Sequence, residues 1–226
     1  MSLFPSNKTK RMLGAAGLMM VLFSAAVKAD DWQNWNNAAL RWYDGEIFHL
    51  TAAMEIRITD DISDATLFRV GQAAGTSLAP WLRADIAYRY TEAKVASGSY
   101  RHQHRAEFQL TPHHALTDQL AVSFRNRVEW RWTQGAGQVN ERTRHRLQFN
   151  LSTPDWRPLR GLYASNELFY DFNRERTSEN RFIPLGLTFR LHDQASLGIH
   201  YMLRSTRGAD SWSQAHVIGT ALSVSL

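Results

Sequence analysis

The sequence contains no cysteine, so no disulfide framework holds this fold and its stability must come from a packed core or from a membrane. Lysine is nearly as scarce. Beyond residue 29 only Lys94 remains, against 21 arginines. Arginine is the cation suited to fixed, partly buried hydrogen-bond networks, because its guanidinium is planar, fork-shaped and permanently charged. Long apolar runs are missing too, apart from one at the N-terminus. Every later apolar stretch is broken by charge within a few residues, which excludes a transmembrane helix but not transmembrane strands of ~10 residues with a weak alternating signal.

The N-terminal exception reads as an export signal. "SNKTKR" (6–11) is basic, "MLGAAGLMMVLFSAA" (12–26) is apolar, and "VKA" (27–29) places small residues where a signal peptidase reads. The pattern predicts a cleaved signal peptide over 1–29 and a single domain over 30–226. An N-terminal membrane anchor is the alternative, but the apolar run falls short of the ~20 residues a spanning helix needs. No cysteine follows the cut, so this is not a lipoprotein signal. Cleavage removes Lys8, Lys10, Arg11 and Lys28 and lowers the net charge from +5 to +1. The basic character of the whole chain is therefore no argument for nucleic acid as a partner.

What the remainder has is alternation. In "VSFRNRVEWRW" (122–132) Arg125, Arg127, Glu129 and Arg131 occupy every second position, with Phe124, Val128 and Trp130 between them. Only a strand sorts such residues onto two faces. Asn126 breaks the apolar face, and the pattern does not account for it. The same period recurs over 47–58, 81–90, 101–110, 142–151 and 216–226, and less regularly over 35–43, 64–75, 161–172, 179–191 and 195–204. These make eleven candidate strands and no helical periodicity. Short connections are predicted at 44–45, 76–80, 111–118, 152–158 and 192–194, with longer polar loops at 91–99, 133–141, 173–179 and 205–213. Short turns on one side and longer loops on the other match an outer-membrane barrel. Closed bacterial barrels normally have an even strand count. The expectation is thus an all-β fold, a single transmembrane antiparallel β-barrel of ten to twelve strands. Ten follows if 32–43 is not a wall strand, twelve if one short strand is hidden.

Two architectures bury one face of every strand. A soluble periplasmic sandwich or small soluble barrel turns its apolar face inward; an outer-membrane barrel turns it to lipid. The arginine-dense polar face favours the second. So do aromatics near strand ends, at Trp42, Tyr43, Trp81, Tyr88, Tyr90, Tyr100, Trp130, Trp132 and Tyr163. The alternating C-terminal strand points the same way, although Leu226 stands where an aromatic last residue is commoner. "RHQHR" (101–105), "RNRVEWR" (125–131), "RTRHR" (142–146), "NELF" (166–169), "ENRFIPLG" (179–186) and "GIHYM" (198–202) run in an order and spacing that is specific as a series. On these motifs the chain resembles the bacterial outer-membrane family known as domain of unknown function 2490. That resemblance covers essentially the mature chain and implies an outer-membrane β-barrel without established activity. It supplies no catalytic residues.

On this reading the polar faces form a lumen. Arg101, Arg105, Arg125, Arg127, Arg131, Arg142, Arg144 and Arg146 line it from three consecutive strands, with Glu107 and Glu129 among them. Glu55, Arg57, Arg83, Asp85, Arg89, Glu167 and Asp171 face the same way from other strands. The first expectation is structural, a lumen filled by Arg–carboxylate forks that hold the walls in register. The second is a narrow anion-preferring channel or pocket for small anionic solutes. The third is a lipid-modifying enzyme built on His102, His104 and Ser99, or on His145. No Ser-His-acid set stands out, however, and no catalytic residue is assigned. His102 and His104 with His113 and His114 invite a metal reading, but the second pair lies at the opposite strand end and in a turn, without carboxylate or thiolate at ligand spacing. The glycines of "GQAAG" (71–75) and "GAGQ" (135–138) precede no helix and form no phosphate loop. No metal and no cofactor are expected; the expected partners are outer-membrane lipid and the outer-membrane assembly machinery.

Overall fold

The structure, a computed structural model, describes residues 31–95, 97–153 and 156–226. The predicted signal peptide lies outside the described residues. Eleven strands follow one another: β1 (Asp31–Asp44), β2 (His49–Thr59), β3 (Asp64–Ala79), β4 (Leu82–Lys94), β5 (Tyr100–Ala115), β6 (Leu120–Thr133), β7 (Asn140–Ser152), β8 (Leu159–Asp171), β9 (Arg176–His192), β10 (Ala195–Arg207) and β11 (Trp212–Ser225). Each corresponds to one of the eleven alternating segments, including the 35–43 segment, which is a wall strand. Among the described residues no helix is long and apolar enough to cross a membrane.

The strands close into one barrel in chain order. Every successive pair is antiparallel, but β1 and β11 pair in parallel, from Asp31 opposite Ala215 to Arg41 opposite Ser225. This corrects the all-antiparallel, even-numbered expectation. An odd number of alternating strands leaves the first and last pointing the same way, so only a parallel seam can close them. The seam is reinforced by side chains on its outer face. Asn34 donates to the Ile218 carbonyl at 3.2 Å, and the Thr220 hydroxyl donates to Asn36 at 2.7 Å.

The barrel has two rims. One carries Asp31 and the connections 60–63, 95–99, 134–139, 172–175 and 208–211. The other carries Leu226 and the connections 45–48, 80–81, 116–119, 153–158 and 193–194. The expected contrast of loop lengths is small: the two-residue turns 80–81 and 193–194 both lie on the Leu226 rim, but the longest connection on each rim has six residues. Backbone pairing continues past the last clearly alternating residues. Segments such as 91–94, 176–179 and 205–207, read as loop, are strand. His113 and His114 likewise lie in β5, paired with Ser123 and Val122, rather than in a turn. At the Asp31 rim, the 60–63 turn laps over the start of β1. Ile62 N–H donates to the Trp32 carbonyl at 3.0 Å, and Trp32 N–H donates to Asp61 at 3.1 Å.

Burial inverts the usual order of a water-soluble domain. Among the described residues, thirteen polar or charged ones are buried against five hydrophobic ones. Leu40, Met54, Phe68, Val70, Ile86, Phe108, Phe124, Leu168, Leu185, Ile199 and Leu222 are exposed on the outer face. A soluble sandwich with an apolar interior is thereby excluded: there is one closed sheet, and its inside is polar. An apolar cluster of the interior lies on the seam side, where Trp35, Met202 and Val217 pack with Ile183. Glycine permits close strand approach at Gly71, where a methyl group would sit 2.5 Å from the Tyr88 carbonyl oxygen. Backbone on a neighbouring strand cannot retreat without loss of pairing, so Gly71→Ala is expected to destabilise the barrel by about 1–3 kcal/mol. A urea titration of the refolded protein measures this. An unchanged midpoint would show that β3 and β4 can separate locally at no cost.

Candidate functional site

Alternation along β2 to β10 delivers the charged side chains to one enclosed space. A buried charge is tolerated only when paired and hydrogen-bonded, and the lumen meets that condition with glutamates from five strands. Glu129 of β6 is fully shielded. Its Oε2 accepts from Arg142 Nε at 3.0 Å and Nη2 at 2.6 Å, and its Oε1 from Arg144 Nη1 at 2.9 Å. Glu167 of β8 takes a two-pronged fork from Arg144, with Nε and Nη2 both at 3.0 Å, and a further hydrogen bond from Arg125. Glu107 of β5 accepts from Arg89 Nε at 3.0 Å and lies 2.9 Å from Arg127 Nη1. Glu55 pairs with Arg57 and Arg69, each at 2.5 Å, and Glu179 accepts from Arg181 and Arg204, each at 2.8 Å.

The register explains why arginine is needed. Glu107 stands directly opposite Glu129, Arg127 opposite Arg144, and Arg125 opposite Arg146. Like charges facing one another across a strand pair repel. A guanidinium with five donors can bridge two carboxylates and so convert such rows into a lattice. Arg144 bridges Glu129 and Glu167 in this way, and Arg105 lies 3.6 Å from both Glu107 and Glu129. Two shielded aromatics complete the belt. Phe169 stacks against Arg142, Arg144 and Arg181 at 4.8, 4.5 and 4.5 Å, and Trp35 against Arg57 at 3.5 Å.

The belt divides the lumen into two basic cups. Towards the Asp31 rim lies a cavity of about 340 Å³ whose wall includes Arg57, Arg69, Arg101, Arg105, Arg131 and Glu179. Towards the Leu226 rim lies one of about 440 Å³, walled by Arg83, Arg125, Arg127 and Arg146 with Gln109 and Gln148, and without a carboxylate among the described residues.

Residues 32–215 match the profile of the family described as "Protein of unknown function (DUF2490)". The chain belongs to this family. No curated protein matches it. Among solved structures, the siderophore receptor PirA from Pseudomonas aeruginosa aligns with 13% identity over 76% of this chain and 34% of that one, at a TM-score of 0.28. The chain thus spans about a third of that receptor's length, and a likeness so distant carries no argument.

The arginine and carboxylate residues singled out in this DUF2490 sequence all stand on lumen-facing positions, though not all join the belt. Arg83 is half-exposed near the Leu226 rim, 4.0 Å from Asp85, and Asp85 instead accepts from Gln109 at 3.0 Å. Arg101 is exposed at the opposite mouth. Arg131 meets Asn140 and lies 3.7 Å from Asp171. Four belt members escaped the sequence pattern: Arg69, Glu179, Arg181 and Arg204. They belong to segments of imperfect alternation, and a register shift at residues 182–185 accounts for β9.

Tyr163 also departs from expectation. It faces the lumen rather than an outer girdle, lying over Gly186, where a methyl group would meet its ring at 2.2 Å. Of the histidines, His102 and His104 bond the Tyr90 and Tyr88 hydroxyls, each at 2.6 Å. Ser99 bonds Ser97 in the β4–β5 connection. His145 meets Asn126 at 2.8 Å, and Asn126 donates to the Phe124 carbonyl at 3.3 Å, which explains a polar residue on the outer face. Among the described residues, no three histidine or carboxylate groups are grouped as metal ligands.

Proposed function

We propose that this chain is a bacterial outer-membrane barrel whose lumen is closed by its own ion-pair belt, and that its role is structural rather than catalytic. The inversion of burial carries the reading. A closed sheet with exposed Phe68, Ile86, Phe108 and Leu185 outside and shielded Glu129, Arg142 and Arg144 inside suits a hydrocarbon surround. Strands of 11–17 residues exceed the ~10 needed to cross obliquely. Polar atoms on the outer face, at His102, His104, His145 and Asn126, are locally paired, as a lipid-facing surface requires. The implied partners are outer-membrane lipid and the machinery that inserts barrels; nucleic acid has no place in this reading.

Support for a closed lumen comes from the full shielding of Glu129 and Phe169 and the near-full shielding of Glu107, Glu167 and Trp35. These residues come from four different strands around the wall, β1, β5, β6 and β8. The purified protein is expected to co-fractionate with outer membranes, to show heat-modifiable mobility, and to give no steady conductance in planar bilayers. Recovery in a periplasmic extract would overturn the membrane reading. A stable unitary conductance would overturn the closed lumen and favour the anion channel.

A further inference from the structure

The cup at the Leu226 rim has a charge imbalance that the belt does not explain. Arg125 and Arg146 stand directly opposite one another on β6 and β7. The Nε–H of each is buried without a partner. Arg125 spends its Nη2 on Glu167, and Arg127 lies against Glu107. Arg146 forms no carboxylate pair within 4.0 Å among the described residues, and Arg83 reaches Asp85 only at that limit. The cavity of about 440 Å³ that these four arginines share has amide and hydroxyl groups in its wall, from Gln109, Gln148, Asn150 and Ser123, but no carboxylate among the described residues. Opposed guanidinium groups repel, and a buried N–H without a partner is left desolvated and uncompensated by any hydrogen bond. Both conditions persist in the folded barrel, since Glu167 is shared with Arg144 and Glu107 with Arg89.

We infer that this cup is a binding site for a soluble phosphate-type oxyanion, free phosphate or the phosphate of a small monoester. Two of the four cations, Arg83 and Arg146, lack a close carboxylate, which matches a dianion rather than a halide. A tetrahedral oxyanion offers several acceptors that converging Arg forks and neutral amides can satisfy together. The site lies inside the wall, between the belt and the rim, with half-exposed Arg83 on its open side. The ligand therefore enters along the barrel axis from water, a route closed to a phospholipid whose acyl chains stay in the bilayer. The facing residues are the same whatever the barrel's role; the exclusion of phospholipid rests on the membrane reading proposed above, which fractionation tests separately.

Isothermal titration of the detergent-solubilised barrel with inorganic phosphate tests it, in buffer of constant ionic strength set by chloride. The expected result is saturable binding of one phosphate per barrel. Arg146→Gln should weaken it about tenfold or more while keeping heat-modifiable mobility, since Arg146 makes no belt contact. Arg83→Gln, at the exposed side, supplies a second variant with the same direction of effect should Arg146→Gln not fold. Arg160→Gln, also at this rim but in a separate depression, should leave the affinity unchanged. Absence of saturable binding would overturn the inference, as would native affinity in both cup variants. Binding seen only with phosphatidic acid vesicles, and not with free phosphate, would overturn it too.

Discussion

Glu129→Gln is expected to destabilise the barrel by about 3–5 kcal/mol, although the substitution preserves size and shape. Glu129 has no solvent exposure and receives Arg142 through two nitrogens and Arg144 through a third, with Arg105 and Arg127 at 3.6 and 3.9 Å. Neutralising it leaves four guanidinium groups around an amide that presents donors of its own. Removing one partner of a buried pair costs about that much, because the charge left behind is uncompensated. Urea titration of the folded protein in phospholipid vesicles, followed by tryptophan fluorescence, measures the effect. A packing role would be spared by glutamine, so an unchanged midpoint would count against the electrostatic belt. The pair Glu129→Gln with Arg142→Gln should recover part of the loss, because it removes a stranded cation along with the anion. A coupling of about 0.5–3 kcal/mol is expected between groups in such direct contact.

The face on which each strong strand presents its charges was legible in the sequence, because β5, β6 and β7 alternate almost without interruption. Once the side-chain period is two, no knowledge of neighbours is needed to place Arg125, Arg127 and Glu129 on one wall. Where alternation slips, that inference stops. Pro184 lies within the stretch where β9 shifts register against β10, so counting by twos from Leu187 assigns Glu179 and Arg181 to the wrong face. Arg69 and Arg204 sit singly in β3 and β10, without a charged neighbour two residues away to mark their face.

The closure was beyond alternation for a different reason. A strand shows the same two faces to parallel and antiparallel partners, so nothing in β1 or β11 taken alone reveals the parallel seam. The ion-pair partners were hidden as well, since they depend on register between strands. Glu167 and Arg144 are 23 residues apart in sequence and meet only because β7 and β8 pair with Arg146 opposite Glu167. Asn126, unexplained as a lone polar residue, gains its reason only when His145 is brought alongside it.

Phe169→Ala is the second change with a large expected effect. Phe169 is completely shielded yet surrounded by charge, with the guanidinium carbons of Arg142, Arg144 and Arg181 within 4.8 Å of its ring centre. Truncating a buried Phe costs about 3–5 kcal/mol, and the lost cation–π contacts contribute a further 0.5–2 kcal/mol or so each. The two parts separate with Phe169→Leu, which keeps most of the volume and none of the ring. If packing dominates, Leu restores most of the urea midpoint; if the ring's face matters, Leu stays close to Ala and Phe169→Trp lies near the native protein. The void left by alanine borders the cup at the Asp31 rim, whose wall includes Arg142, Arg144 and Arg181. Glu129 and Glu167 still bind Arg144 from two sides. Phe169→Ala should therefore be weakened but still non-conducting in planar bilayers. A current through this variant would make Phe169 the plug, whereas continued silence leaves the glutamate–arginine lattice as the element that closes the barrel.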